Sequence, residues 1–440
     1  MANTPSASWI PILTSSNGVS AAWAGIEAVT QAILDGDYGP RASQGEDDAL
    51  LYAYLAAARA DESWAVRATD RLNATIDETA SAERSLSLYR GLCGLGWTVE
   101  HVSHLLDAAF PAPSDGDLES SGEESGEDVD LNADVDAAIL RQLTQVPLGT
   151  WVDHYNYDLI SGLVGYGTYF LERWPTDTAK AGIDLVIEHL AAVAERTDRG
   201  ITWHTPPELL PDWQRRSYPG GYYNLGVAHG MPGVIHFLSE ATSAGVAHEA
   251  AAPLLDGAIE WLMSQRRPAG SHSWYSAWLG DGQSTDSRFA WCYGDLGILS
   301  VLFQVARRRQ REDVRQFARD LLDHSLDRPP EDYGVVDAPL CHGAAGVAHI
   351  FNRIYQSEDD PRCRAAALGW FDRALAMRQA VGGAGGFLAS TRPDPGGPTV
   401  WEASPAFLDG AIGVALALLA ATTAIEPNWD RLLLVSGRRA

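Results

Sequence analysis

A spaced pair of glycines, GxxG, recurs six times along this chain and limits its fold more than any other feature. The pairs are GLCG (91–94), GLVG (162–165), GMPG (230–233), GDLG (294–297), GAAG (343–346) and GAIG (410–413). Recurrence of a motif at intervals of several tens of residues is the signature of a repeat architecture. The pattern predicts six equivalent units, with a seventh unit that lacks the motif near residues 15–60.

The segments between the pairs predict helices. Apolar residues recur three and four places apart in 181–197 and 251–267, as expected for outer helices with one buried face. The segments 298–308 and 414–424 are apolar almost all round at their start and predict inner helices, whereas strand patterns are sparse. We therefore expect an all-α fold, an α/α toroid or barrel of six to seven helical hairpins. Glycines three apart share a helix face, where they would let neighbouring backbones approach closely.

Length and charge restrict the class of protein. Units that run from residue 91 to residue 413 leave little room for separate cores, so one domain over 1–440 is expected, with the acidic stretch 111–136 as a mobile insertion. The net charge of -26 argues against nucleic-acid binding. No apolar run approaches the roughly 20 residues of a membrane span. The N-terminus lacks the pattern of a secretion signal, which favours a cytoplasmic protein.

The residue directly before each glycine pair is polar or ionisable in all six units. Equivalent positions in a closed ring should face one axis, so the sequence predicts a polar site where these side chains converge. Two of them, Ser161 and Asp409, have helix N-capping as an alternative role. The six residues are Arg90, Ser161, His229, Tyr293, His342 and Asp409.

Two cysteines occupy matching places in their units and indicate a metal site. Cys292 and Cys341 each lie two residues before a glycine pair, and His342 follows Cys341. Neighbouring residues diverge by about 100° on a helix, so Cys341 and His342 are expected in the loop before one. Two thiolates and an imidazole match a catalytic zinc site whose fourth position is free. The alternative is that the cysteines are small buried hydrophobes, as expected for Cys93.

These motifs resemble those of the lanthionine synthetase C family, the LanC-type cyclases of lanthipeptide biosynthesis. The similarity extends over roughly 85–425 and rests mainly on AHGMPG, WCYGDLG and CHGAAG. It implies one zinc ion held by Cys292, Cys341 and His342. It further implies His229 as the acid/base, with site residues Asp158, which assists His229, and Arg288 and Tyr293, which line the site. Asp295 departs from the family pattern without removing a ligand.

The resemblance also implies an activity. A zinc-dependent cyclase would add a cysteine thiolate of a dehydrated precursor peptide to dehydroalanine or dehydrobutyrine, which forms a lanthionine or methyllanthionine ring. A lanthipeptide dehydratase and a transporter complex are the further partners expected. Two alternatives stay open on the residues alone. One is addition of glutathione to dehydroamino acids, and the other is a non-catalytic scaffold stapled by zinc.

Overall fold

The computed structural model of the protein describes residues 9–36, 44–80, 84–111, 130–281, 285–392 and 397–438. Fifteen α-helices dominate this part of the chain. They are α1 (Ser16–Asp35), α2 (Gly45–Arg59), α3 (Glu62–Ala80), α4 (Leu92–Ala109), α5 (Ala133–Gln145), α6 (Leu163–Glu172), α7 (Asp177–Ala192), α8 (Asp212–Ser217), α9 (Met231–Ser243), α10 (His248–Ser264), α11 (Asp295–Arg309), α12 (Glu312–Leu326), α13 (Ala344–Glu358), α14 (Pro361–Ala376) and α15 (Ala411–Thr422).

Seven inner helices form a closed ring, which confirms the predicted toroid. Each inner helix packs against the next, and the last packs against the first, in the order α2, α4, α6, α9, α11, α13 and α15. Outer helices cover them, with α7 on α6, α10 on α9, α12 on α11 and α14 on α13. The seventh unit is α2 with α3, so it ends later than the predicted range of 15–60. Helix α1 is instead the outer partner of α15.

The glycine pairs have a different structural role from the one predicted. The first glycine of each pair is the residue that precedes the inner helix, and the second lies in the first turn. A Cβ atom on the second glycine would lie 1.9–2.7 Å from the carbonyl oxygen of the residue six places earlier in every unit. The close approach is thus between a helix and its own preceding loop. Ser161 and Asp409 are not helix N-caps, because Gly162 and Gly410 hold that position.

Backbone hydrogen bonds join the loops before the inner helices into a ring. In the five junctions between glycine-marked units, the acceptor is the carbonyl of the residue two places before the next glycine pair: Ile160, Ala228, Cys292, Cys341 or Leu408. The unit without a glycine pair, which begins with α2, joins this ring of loops through a side chain instead of a backbone carbonyl. Asp47, in the first turn of α2, accepts a hydrogen bond of 2.9 Å from the backbone N–H of Phe407.

The C-terminal segment 428–438 closes the toroid from inside. Tyr89 and Trp291 donate side-chain hydrogen bonds to the carbonyls of Leu432 and Leu433, at 2.7 and 2.6 Å. The buried His349 lies 2.7 Å from Asp430, which also pairs with Arg353. The segment therefore forms the floor of the cavity that the loops surround.

Short strands connect some helices without forming a larger sheet. They are β1 (Glu195–Thr197), β2 (Gly200–Thr202), β3 (His204–Thr205), β4 (Tyr222–Asn224), β5 (Trp278–Gly280), β6 (Ala389–Thr391) and β7 (Val400–Glu402). Antiparallel pairing gives the groups β1–β2, β3–β4–β5 and β6–β7. Helix α7 accordingly ends at Ala192, before the predicted end of its helical pattern, because residues 195–197 form a strand.

The predicted acidic insertion falls largely on residues 112–129, which lie outside the described residues. Its last part belongs to the fold, since α5 begins at Ala133. Asp136 is buried and pairs with Arg173 at 2.8 Å, and Asp130 pairs with the same arginine. No helix in the described ranges is both long and apolar enough to cross a lipid bilayer.

Candidate metal centre

Three predicted ligands meet between the neighbouring units of α11 and α13. Cys292 lies in the loop before α11, and Cys341 and His342 lie in the loop before α13, as the sequence predicted. The N–H groups of Trp291 and Cys292 bond to the carbonyl of Cys341, at 3.2 and 3.3 Å, which fixes one loop against the other. One ligand atom from each of the three side chains lies within 4.8 Å of the other two.

The pKa values of the two neighbouring thiols shift in opposite directions, which places a negative charge on Cys292. The Cys341 thiol and then His342 stabilise the Cys292 thiolate, which holds the pKa of Cys292 well below its usual value despite burial. The resulting negative charge raises the pKa of Cys341. All four cysteines of the chain are free thiols. Two sulfurs and an imidazole form a donor set that zinc prefers, and the described residues add no fourth donor to this group.

A carboxylate that the sequence analysis did not single out, that of Asp337, lies beside His342. Asp337 Oδ2 lies 3.6 Å from His342 Nε2 and accepts bonds of 2.8 Å from the N–H and hydroxyl of Ser390. Carboxylates placed behind a metal-binding histidine commonly fix its ring and tautomer. Ser390 lies in β6, so the β6–β7 hairpin holds the carboxylate beside His342.

Asp158 and His229 form a hydrogen-bonded pair, and His229 lines a central cavity together with Cys292 and Cys341. Asp158 Oδ2 lies 2.5 Å from His229 Nδ1, while Oδ1 accepts the N–H groups of Ser161 and Gly162 at 2.8 and 2.9 Å. Asp158 is only 1% exposed, and burial raises its pKa although the contact with His229 opposes the rise. This contact uses Nδ1 and leaves Nε2 as the other ring nitrogen of His229.

Aromatic rings flank this histidine. The ring of Tyr293 lies 6.2 Å from that of His229, centroid to centroid, and the ring of Tyr155 lies 4.9 Å away on another loop. Burial raises the pKa of Tyr293 well above its usual value, so the phenol is neutral. Asn224 Nδ2 lies 3.4 Å from its hydroxyl. Neither Tyr155 nor Asn224 lies directly before a glycine pair, so the repeat pattern gave no signal for them.

Arg288 does not line the cavity that contains Cys292 and His229. Its side chain is exposed and lies in a separate surface cavity beside His272 and Arg328. Its charge still acts on the metal centre, because it contributes to lowering the pKa of Cys292. Asp295, the departure from the family pattern, lies on the other side of α11's first turn. It accepts the N–H groups of Trp274 and Tyr275, at 2.8 and 2.9 Å, and so fixes the loop after α10.

The predicted convergence on one axis is correct in outline. A cavity of about 480 Å³ lies among the loops, and Arg90, His229, Tyr293 and Asp409 line it, whereas Ser161 and His342 do not. The residue two places before each glycine pair is the more consistent marker, since all six such residues line the cavity. They are Tyr89, Ile160, Ala228, Cys292, Cys341 and Leu408.

Comparisons with known proteins agree with the fold and with the motifs. The sequence profile of the family described as "Lanthionine synthetase C-like protein" matches residues 49–434. A solved structure of nisin cyclase superimposes with a TM-score of 0.69 over 93% of this chain and 97% of that chain, at 18% identity. That degree of likeness shows the shared fold.

Two curated relatives match over shorter stretches. "Glutathione S-transferase LANCL1" of Danio rerio is 27% identical over 159 residues, which cover 35% of this chain and 34% of the relative. "Nisin biosynthesis protein NisC" of Lactococcus lactis subsp. lactis is 26% identical over 211 residues, which cover 44% of this chain and 48% of the relative. The chain thus spans less than half the length of either relative. Because the profile match extends over most of the chain and the predicted motifs meet in one cavity, the chain belongs to the lanthionine synthetase C-like family.

Proposed function

We propose that this protein is a zinc-dependent lanthipeptide cyclase. It would add a cysteine thiol of a dehydrated precursor peptide to dehydroalanine or dehydrobutyrine and so form lanthionine or methyllanthionine. The observation that carries the proposal is the shared cavity. It holds two of the three metal-binding side chains and, on a neighbouring loop, a histidine paired with a buried carboxylate. The name of the solved nisin cyclase supports the same class of reaction.

Cys292, Cys341 and His342 would hold the metal. When bound, zinc would supply a positive charge that keeps the substrate thiol in its nucleophilic thiolate form. The loops before α11 and α13 keep these side chains together before any ion arrives, because the backbone of Cys341 accepts both N–H groups of the facing loop. Asp337 would hold the imidazole of His342 in a fixed orientation.

His229 would deliver the proton that completes the addition. Thiolate attack on the β-carbon of a dehydroamino acid leaves an enolate, whose α-carbon must be protonated. Nε2 of His229 is the available donor, because Nδ1 bonds to Asp158. The buried Asp158 carboxylate would stabilise the imidazolium form of His229 before transfer and hold the ring in place. Tyr293 would line the cavity beside the reacting residue. The positive charge of the exposed Arg288 would act on the reacting groups from outside the cavity.

Glutathione addition to dehydroamino acids is the second candidate. The relative named as a glutathione S-transferase favours it. The chemistry at the metal would be the same, but the thiol would come from a second molecule. A scaffold that uses zinc only for stability is the third reading, and a paired acid/base on the cavity argues against it.

Reconstitution with a dehydrated peptide that contains cysteine separates these readings. Cyclisation should consume the thiol, as counted by alkylation, without a change in peptide mass. Glutathione addition should increase the mass and leave the peptide thiol free. A zinc-loaded protein that does neither, yet unfolds when zinc is removed, would support the scaffold and overturn the proposal. A dehydratase and a transporter complex would be the partners in the cyclase reading.

A further inference from the structure

The unmarked seventh unit contributes a polar wall to the central cavity. Gln44, Glu46 and Asp47, at the start of α2, line the same cavity as Cys292 and His229. In the ring, α13 and α15 separate α2 from α11 on one side, and α4, α6 and α9 separate them on the other. The wall therefore faces the reacting groups from a distance. Neither the glycine pattern nor the proposed chemistry uses it.

One carboxylate oxygen of Glu46 has no hydrogen-bond partner. The residue is only 5% exposed, and its Oε1 pairs with Arg84 at 3.2 Å. Oε2 accepts no hydrogen bond although it is buried. Gln44, with its amide turned to suit its neighbours, donates to Oε1 at 3.0 Å and accepts from Arg90 Nε at 3.3 Å. A buried carboxylate oxygen without a donor is unfavourable, so this atom is suited to an incoming N–H group.

Asp47 adds a second carboxylate next to the first. One of its oxygens accepts the N–H of Phe407, which closes the ring of loops. Burial and repulsion from Glu46 raise the pKa of Asp47 to about 8, although the charge of Arg90 opposes the rise, so a cation placed beside the two carboxyl groups would favour the ionised form of Asp47. The start of α2 is held rigidly, because a Cβ on Gly45 would lie 1.7 Å from Thr75 Oγ1 of α3. The two carboxylates thus have fixed positions before a ligand arrives.

We propose that Glu46 and Asp47 form a subsite for an alkylammonium group of the thiol substrate, which they bind while its sulfur reaches the metal centre. This inference rests on the proposed function and names the chemistry of substrate recognition within it. The ammonium would donate to Glu46 Oε2 and lie near Asp47, where it would gain charge-assisted hydrogen bonds in a partly enclosed cavity. Such a group is available on a lysine side chain, on a peptide N-terminus and on glutathione.

Matched ligands that differ only in this charge test the subsite. The zinc-loaded full-length protein would be titrated with short cysteine peptides that carry lysine or acetyl-lysine, with a free or an acetylated N-terminus, and with glutathione or N-acetylated glutathione. No dehydroamino acid is present, so the readout is binding alone. We expect loss of the positive charge to weaken binding about tenfold in at least one of the three pairs, and the affected pair identifies the source of the amine.

The same titrations on variants assign the effect to the wall. Glu46→Gln with Asp47→Asn should reduce the ratio within the affected pair to about one, while Glu62→Gln, an exposed change on α3, should leave it unchanged. Glu46→Gln alone keeps the Asp47 bond to Phe407, so it should show a partial loss even if the double variant folds poorly. Equal binding within all three pairs, or an unchanged ratio in the double variant, would overturn the subsite. Cyclisation could still be active in that case, so the two proposals fail separately.

Discussion

Asp158 holds His229 through one carboxylate oxygen and the start of the α6 loop through the other. The histidine that faces the cavity is therefore fixed to the backbone of a neighbouring unit. Asp158 can thus affect both the position and the charge of the imidazole, and substitutions of Asp158 can test the two effects separately.

Asp158→Asn should preserve the position and remove the charge. The amide can still bond to His229, but it stabilises the imidazolium far less than a carboxylate does. We expect kcat for ring formation to fall by about 100-fold or more, with zinc content unchanged. The measurement is single-turnover loss of peptide thiol together with metal analysis. Activity within about twofold of the unsubstituted protein would remove Asp158 from the mechanism.

Two further substitutions separate metal binding from proton transfer. Cys341→Ala should abolish both zinc retention and turnover, because it removes one of three ligands. His229→Ala should retain zinc and lose at least about 100-fold in kcat. Metal analysis of the dialysed proteins provides the comparison. Full zinc content in Cys341→Ala would show that the ligands are assigned wrongly.

Asp337→Ala tests the carboxylate behind His342. Loss of a group that orients a ligand typically weakens metal binding by about 10-fold to 100-fold. We expect this decrease in competition titrations against a zinc chelator, with the fold retained. Ser390→Ala, which removes one of the donors to Asp337, should have a smaller effect in the same direction. An unchanged zinc affinity in Asp337→Ala would contradict the role assigned to this residue.

The second glycine of each pair should be sensitive to a single methyl group. In Gly346→Ala the new Cβ would lie 1.9 Å from the carbonyl oxygen of Leu340, so the loop that carries Cys341 and His342 must move. We expect a loss of about 2 kcal/mol or more in the free energy of unfolding. Gly369→Ala in α14 is the matched control, because nothing lies within 4 Å of its Cβ, and it should stabilise by about 0.5–1 kcal/mol. Similar Tm values for the two variants would refute this explanation of the motif.

Acid should destabilise the fold partly through a buried histidine. Burial, helped by the charge of Arg308, lowers the pKa of His236 to about 3. The unfolded chain takes up this proton near pH 6.5, whereas the folded chain does not, so stability is lost as the pH falls below about 6.5. At pH 5.5 the expected loss from His236 is about 1.4 kcal/mol. Denaturant unfolding at pH 7.5 and 5.5 should show a smaller difference in His236→Gln, and an identical difference would contradict the assignment.

Much of the fold was readable from the spacing of glycines, because each pair marks the start of one inner helix. Repetition also brought Cys292 close to Cys341 and His342, although 49 residues separate the cysteines. The sequence did not reveal what the glycines contact, since the carbonyl that excludes a side chain comes from the loop geometry. Asp337 and Glu46 were missed because neither lies beside a glycine pair. Arg288 was expected at the approach to the metal, and its role there stays a prediction: its side chain is exposed, and its charge acts on Cys292.

The last inner helix, α15, is covered by α1, which lies at the other end of the sequence. During synthesis the apolar face of α1 therefore stays exposed until almost all of the chain has left the ribosome. Such a long sequence separation slows folding and makes the early chain dependent on protection from aggregation. A circular permutant that keeps residues 428–438, links them to the segment before α1 and opens the chain in another loop should fold faster than the natural order and keep the same ring.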